Sequence, residues 1–300
     1  MSPVPVPQTF RYQHVLYSPK SWLWGVWLSL PSSWRGRVYG TILRVFGEQI
    51  PFTNAYRVRG YFFKLCPTTD EALTTEYVRA HTSIPVAKVL DVVRLPKHLV
   101  TPKTSWVMIS TAVAGTPLFV NGSGHRLRDA PAEKAALVSQ SLKNWLDQLR
   151  QLESPCEQRV CGFTGGNFRN FRIGEEPVGP FASIEELNSH PSLAVPEAEI
   201  ELNEDLSRLV DATKNKAYRF HLVHGDLVLH NVMADDDLRP TGIIDWECAA
   251  WMPEYWEALS SSRGAFREMQ YWKDVRRSVF QEYKDEMDLD TRIQKLHGGE

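Results

Sequence analysis

Between Phe220 and Glu247 the chain reads FHLVHGDLVLHNVMADDDLRPTGIIDWE, and no other stretch limits the available folds so tightly. Phe220, Leu222 and Val223 form a short apolar run, which predicts a buried strand. His224, Gly225 and Asp226 follow, then four spacer residues and Asn231. Val232–Ala234 is a second short apolar piece. The polar cluster 235–240 is a turn signal, and 242–244 predicts a third strand running into Asp245. If 231–234 and 241–245 pair as an antiparallel hairpin, Asn231 begins one strand and Asp245 ends the other. Both then sit at its open end, about 5 Å apart across the ladder. Asp226 lies in the loop entering that same end. Two carboxylates and a carboxamide oxygen converging on one patch suit Mg²⁺ brought in with a phosphate substrate.

A zinc hydrolase is the competing reading, because His221, His224, Asp226 and His230 are clustered. His221 and His224 would face opposite sides of a strand, and no further cluster supplies the three convergent ligands that zinc draws. His221 and His230 are read as ordinary histidines. Composition sets outer bounds. Three hundred residues with 43% hydrophobic and 23% charged content describe a globular chain of one large domain or two lobes. A net charge of −2 gives no reason to expect nucleic acid or an anionic membrane as partner. Cys66, Cys156, Cys161 and Cys248 form no C-x-x-C pair and read as reduced thiols, which predicts a cytoplasmic protein.

Upstream, Ala55–Arg59 and Tyr61–Cys66 predict a hairpin turning at Arg59-Gly60. Its second strand alternates Tyr61, Phe63 and Leu65 on one face with Phe62, Lys64 and Cys66 on the other. A single lysine on so apolar a strand is either an edge residue reaching solvent or a ligand for nucleotide phosphates. The second role needs a helix carboxylate to hold it. A helix starts at once, with Thr68 and Thr69 as cap candidates and Asp70 and Glu71 in its first turn, and ends near His81. No G-x-G-x-x-G loop precedes these strands. Val107–Val113 is a further apolar strand, broken by Ala114-Gly115-Thr116-Pro117.

The order H-G-D-L-V-L-H-N followed by I-I-D-W-E matches the phosphoryl-transfer pattern H-x-D-x-x-x-x-N with a later strand-end Asp. It resembles the aminoglycoside phosphotransferase and choline kinase group. T-S-I-P-V at 82–86 resembles the corresponding block of that group, and the runs 246–256 (WECAAWMPEYW) and 178–181 resemble its fungal aminoglycoside-phosphotransferase-like subset. The resemblance implies an α+β, two-lobed protein-kinase-like fold, with an N-terminal extension over 1–34, an N-lobe over 35–112 and a C-lobe over 113–300. It implies ATP and Mg²⁺ as cofactors and a small-molecule hydroxyl as acceptor. Asp226 would be the catalytic base with His224 supporting the loop, and Asn231 and Asp245 the metal ligands. Lys64 would hold the phosphates with Glu71 as its partner, or Glu76 on the other helix face. Backbone groups over Thr111–Val113 would read adenine. Glu197, Glu199, Glu201, Glu204, Glu254 and Glu257 lie on segments flanking the site, either as a simply solvated acidic face or as carboxylates for a cationic acceptor. A catalytically silent kinase-fold scaffold is the alternative that the intact residue set opposes.

Elsewhere, periodicity predicts helices over 35–46, from 129–131 to about Leu152, around 202–210, and over 254–268 and 270–287. Residues 1–20 predict an extended lead-in, and 156–196 a long irregular excursion. The tryptophan-rich piece Ser21–Trp34 is too short to span a bilayer, and no small-residue cleavage site follows it. Its aromatics are expected to pack on the body of the protein rather than on a membrane surface, with no stable membrane insertion.

Overall fold

A computed structural model describes residues 21–51, 53–96, 104–120, 124–127, 130–262 and 269–298. The described chain forms two compact units, one of residues 21–80 and 85–113, the other of 81–84 and 114–298.

The first unit contains α1 (Ser21–Ser29), α2 (Ser32–Phe46), β1 (Glu48–Gln49), β2 (Ala55–Val58), β3 (Tyr61–Cys66), most of α3 (Asp70–His81), β4 (Val89–Arg94) and β5 (Trp106–Thr111). The strands make one antiparallel sheet in the order β1-β2-β3-β5-β4. Arg59 and Gly60 both take positive φ, 49° and 87°, as the tight turn between right-twisted strands requires. Alternation along β3 divides the helices between the two faces of the sheet. Phe63, Val93, Leu95, Val107 and Ile109 pack with Tyr39 of α2 and, at the margin, Trp27 of α1. Cys66, Val89 and Met108 pack with Ala72 of α3 on the other face. Thr68 caps α3, its hydroxyl accepting from the Asp70 amide at 3.3 Å.

The strand β4 was not anticipated, because VLDVVR carries an acid at its centre. Asp91 is nonetheless buried. It accepts from the Tyr39 hydroxyl at 2.7 Å and forms an ion pair with Arg35, so one carboxylate ties α2 to the sheet. Burial, then the bond to Asp91, pushes the Tyr39 hydroxyl far above its ordinary range. Gly36 permits this approach, since a Cβ there would meet the Arg94 carbonyl at 2.5 Å. The expectation that the N-terminal aromatics all pack inward needs correction. Trp24 and Trp27 are half-buried, but Trp22 and Trp34 are 66% and 64% exposed.

The second unit begins with β6 (Thr116–Pro117), β7 (Phe119–Val120), β8 (Gly124–His125) and α4 (Ala132–Leu149). The expected excursion over 156–196 contains short elements: β9 (Cys161–Gly162), β10 (Phe168–Asn170), β11 (Gly174–Val178) and α5 (Ile184–Asn188). Then come α6 (Glu197–Leu202), α7 (Glu204–Lys214), β12 (Phe220–Val223), β13 (Val232–Ala234), β14 (Pro240–Ile243), β15 (Ala250–Pro253), α8 (Trp256–Ser260), α9 (Gln270–Val279) and α10 (Lys284–Leu296). The expected helix over 270–287 breaks after Val279, where buried Phe280 leaves helical geometry at φ −118°, ψ 30°. The helix expected over 254–268 is the short α8; residues 263–268 lie outside the described residues, as do 1–20. Trp246, Trp251, Trp256 and Trp272 are fully buried in this unit. Each contributes about 3 kcal/mol of apolar burial.

Candidate active site

Two small sheets hold the stretch from 220 to 247. β12 pairs antiparallel with β15, a strand the sequence pattern did not reveal, and β15 with β9. β13 pairs with β14 in the expected hairpin, Val232 opposite Ile243, and with β6 on its other side. The Ile244 amide donates to the Asn231 carbonyl at 3.0 Å, extending the ladder to the site. Asp245 follows in the left-handed region, φ 69° and ψ 64°. That conformation is sparsely populated for residues other than glycine, though tolerated by Asp, and it turns the chain sharply after the strand.

The loop between β12 and β13 is fixed from several sides. The spacers Leu227, Val228 and Leu229 are all buried, so the four-residue gap between Asp226 and Asn231 is an apolar anchor rather than slack. Gly225 has φ 77°, and a Cβ there would collide with the Cys248 carbonyl. A side chain is excluded at the position where protein kinases carry arginine. Asn231 donates from Nδ2 to the Asp226 carbonyl at 2.8 Å and to Asp226 Oδ2 at 3.2 Å. With Nδ2 so engaged, Oδ1 is the amide atom able to ligate a cation.

His224 is wholly buried, and its two ring nitrogens bridge the site. The Asp226 amide donates to Nδ1 at 3.2 Å, which makes Nδ1 the acceptor; Nε2 then carries the proton and donates to the Ile244 carbonyl at 3.0 Å. The ring lies edge-on to Trp246 at 4.7 Å. His224 therefore ties the Asp226 loop to the strand end that carries Asp245. His230, set aside on sequence, lies with Nε2 3.9 Å from Asp226 Oδ2.

Glu257 is a residue whose place the sequence reading missed. Grouped there with the acids flanking the site, it is buried beneath the loop. Its Oε2 accepts from the His224 amide at 2.6 Å and the Gly225 amide at 3.3 Å. Burial pushes its carboxyl up to about 7, against the lowering effect of those amide bonds. The Trp-Glu pair at the start of α8 is the local signal that could have placed it inward. Glu254 is likewise engaged, with Arg219 and the Tyr283 hydroxyl. Glu197, Glu201 and Glu204 are exposed on α6 and the start of α7, and Glu199 is half-buried.

The field at the site is negative. Burial first, then the charges of Asp226, Glu247 and Asp245, push the Cys248 thiol well above its usual range. Concentrated carboxylate charge with a carboxamide oxygen, and no soft ligand able to ionise, is a donor set that fits Mg²⁺.

In the first unit Lys64 Nζ meets Glu71 Oε1 at 2.9 Å, with Glu71 buried and the lysine slightly exposed. Glu76, the alternative, is bound instead to Arg79 and the Val89 amide. Thr111 ends β5. Its amide donates to the Lys88 carbonyl and its hydroxyl accepts from the Lys88 amide, both at 3.0 Å. Thr111 N–H is thus engaged with Lys88. Val113 is half-buried beyond the strand.

Residues 52–289 match the model of the phosphotransferase enzyme family, APH. Among solved structures, similar folds include a thermostable mutant of aminoglycoside phosphotransferase APH(4)-Ia in ternary complex with AMP-PNP and hygromycin B. It shows a TM-score of 0.54 and 16% identity, covering 87% of this chain and 88% of that one. The GDP complex of aminoglycoside 2'-phosphotransferase-IIIa gives 0.52 and 13%, covering 87% and 90%. Aminoglycoside-3'-phosphotransferase of type VIII gives 0.50 and 16%, covering 89% and 100%. No curated protein sequence matches the chain. At these identities the structural likeness establishes a shared α+β, protein-kinase-like fold.

Proposed function

The chain belongs to the phosphotransferase enzyme family, and from that premise we propose that it transfers the γ-phosphate of ATP to a hydroxyl of a small molecule. The observation that carries this reading is the Asp226 carboxylate, gripped by Asn231 Nδ2 in a loop that His224 and Glu257 lock from beneath. A base so held cannot swing away from an incoming hydroxyl. Asp226 orients that hydroxyl and takes its proton, a contribution worth about 10²–10⁴-fold. Lys64, steadied by Glu71, serves the nucleotide phosphates, and backbone groups over Thr111–Val113 the adenine. Asn231 Oδ1 and Asp245 hold Mg²⁺, which when bound neutralises charge on the phosphates.

The neighbouring structures, complexes with AMP-PNP and hygromycin B and with GDP, support nucleotide use and guide the acceptor screen. The acceptor is a hydroxyl-bearing small molecule, with amino alcohols, sugars and aminoglycosides as the panel. Glu254 and Glu257 lend no support to a cationic one, since Arg219 and the loop amides occupy them.

The test is ADP release from Mg-ATP over that panel, with native chain and Asp226→Asn side by side. Acceptor-dependent turnover that falls about 10²-fold or more in the variant, with Mg-ATP still raising the melting temperature of both, supports the proposal. Equal turnover in the two chains removes Asp226 from the role. If Mg-ATP at millimolar concentration shifts neither melting curve, the silent-scaffold alternative takes its place.

A further inference from the structure

Helices α1 and α2 turn an apolar surface to solvent. Among the described residues, Trp22, Leu23, Val26, Leu30, Trp34, Val38, Val45 and Phe46 make up most of the large hydrophobic side chains that are exposed. Their spacing is regular. Trp34, Val38 and Val45 stand four and seven residues apart, one stripe along α2, opposite Gly36, Tyr39 and Leu43, which face the sheet. In α1, Trp22, Val26 and, just beyond the helix, Leu30 repeat at steps of four, while Trp24, Trp27 and Leu28 turn inward. An edge-to-face contact between Trp27 and Tyr39, 5.5 Å between rings, joins the two helices. A surface helix ordinarily offers polar side chains on its outer face; this pair offers tryptophan and valine.

Charge indicates what the surface meets. Residues 1–47 include Arg11, Lys20, Arg35, Arg37 and Arg44 and no Asp or Glu, so every one of the 36 acidic residues lies at Glu48 or beyond. Arg37 and Arg44 are exposed and seven residues apart, which sets them on one flank of the apolar stripe of α2. Arg35 is committed to Asp91. An outward apolar ridge with tryptophans, bordered by arginines in a segment free of carboxylates, matches an anionic lipid surface. Apolar side chains enter the acyl boundary, tryptophan sits at headgroup depth, and arginines meet the phosphates. The acids of the remaining chain would repel such a surface and so fix which side faces it. Among the described residues no helix is long and apolar enough to cross a membrane. We propose that the α1–α2 face docks the protein peripherally on an anionic bilayer.

The test is co-sedimentation of the full chain with phosphatidylcholine vesicles, with and without phosphatidylserine, at low and high salt. The proposal expects binding that requires phosphatidylserine and weakens with salt. Trp22→Glu with Trp34→Glu, and separately Arg37→Glu with Arg44→Glu, should each weaken partitioning about tenfold or more. All four side chains are exposed, so both variants should keep the native melting temperature, which serves as the folding control. Three results would overturn the proposal. One is no binding to either vesicle by a monomeric chain. Another is binding that both variants retain in full. The third is a concentration-dependent dimer that Trp22→Glu with Trp34→Glu dissolves, which would make a second copy of the chain the occupant.

Discussion

The buried acids of the first unit and the buried Glu257 of the second are held in different ways. In the first unit each is matched to a cation: Glu71 to Lys64 on one face of the sheet, Asp91 to Arg35 on the other. In the second unit Glu286 and Asp290 are also matched to cations, Lys216 and Arg172, but Glu257, beneath the loop that carries Asp226, is matched to neutral backbone amides, and the buried strand histidine His221 has no hydrogen-bond partner for Nδ1. A cation balances a carboxylate's charge, whereas amides only solvate it. The second unit should therefore respond to pH through Glu257 and His221, and the sheet should respond to loss of partners.

The contrast can be broken first at Asp91. Asp91→Ala leaves Arg35 and the Tyr39 hydroxyl without their shared acceptor and should cost about 3–5 kcal/mol in denaturant unfolding. A loss under about 1 kcal/mol would mean the pair does not hold α2 to the sheet. Next come the two buried groups of the second unit, which have opposite signs. Burial holds His221 down at about 3 from 6.5, with Arg150 and Arg219 adding to the effect. The unfolded chain binds the extra proton between those values, so stability falls as pH drops from 6.5 towards 3, by on the order of 4 kcal/mol. His221→Met should remove that acid sensitivity.

Glu257 behaves inversely. Its folded carboxyl keeps a proton up to about 7, while the unfolded one releases it near 4.5. Native stability is thus greatest below 4.5 and declines up to 7, by about 3 kcal/mol. Glu257→Gln keeps an acceptor for the loop amides and should flatten this segment of the stability–pH curve. An unchanged slope would show that Glu257 is not the titrating group. The smallest effect is expected at Glu71→Gln. The substitution retains a hydrogen bond to Lys64 and should cost about 1 kcal/mol, while weakening Mg-ATP-dependent stabilisation more than it weakens the fold.

How much of this was legible beforehand follows from the range of each interaction. The hairpin, the tight Arg59-Gly60 turn, α3 with its Thr68 cap and the pairing available to Lys64 all depend on residues close in sequence. Alternation, spacing and cap chemistry expose such features directly. β4 was missed because a central Asp91 contradicts the apolar pattern of a buried strand, and only Tyr39 and Arg35, more than fifty residues away, make that acid tolerable. β15 lay unseen within a tryptophan-rich run that reads equally well as helix or strand. The break at Phe280 needed knowledge of the core that receives its ring.

By itself, then, the sequence determined which side chains could do chemistry: Asp226 in a short loop, Asn231 and Asp245 at the open end of the hairpin that follows it, and a lysine on an apolar strand. Tertiary structure alone decided how they are held. Glu257 lies under the loop rather than facing a substrate, His224 bridges to the Ile244 carbonyl, Thr111 spends its amide on Lys88, and α1 and α2 leave tryptophans in solvent. Local pattern fixes what a residue is able to bond. Which partner it meets, and whether water is excluded when it does, is set by segments far along the chain that only the folded packing brings together.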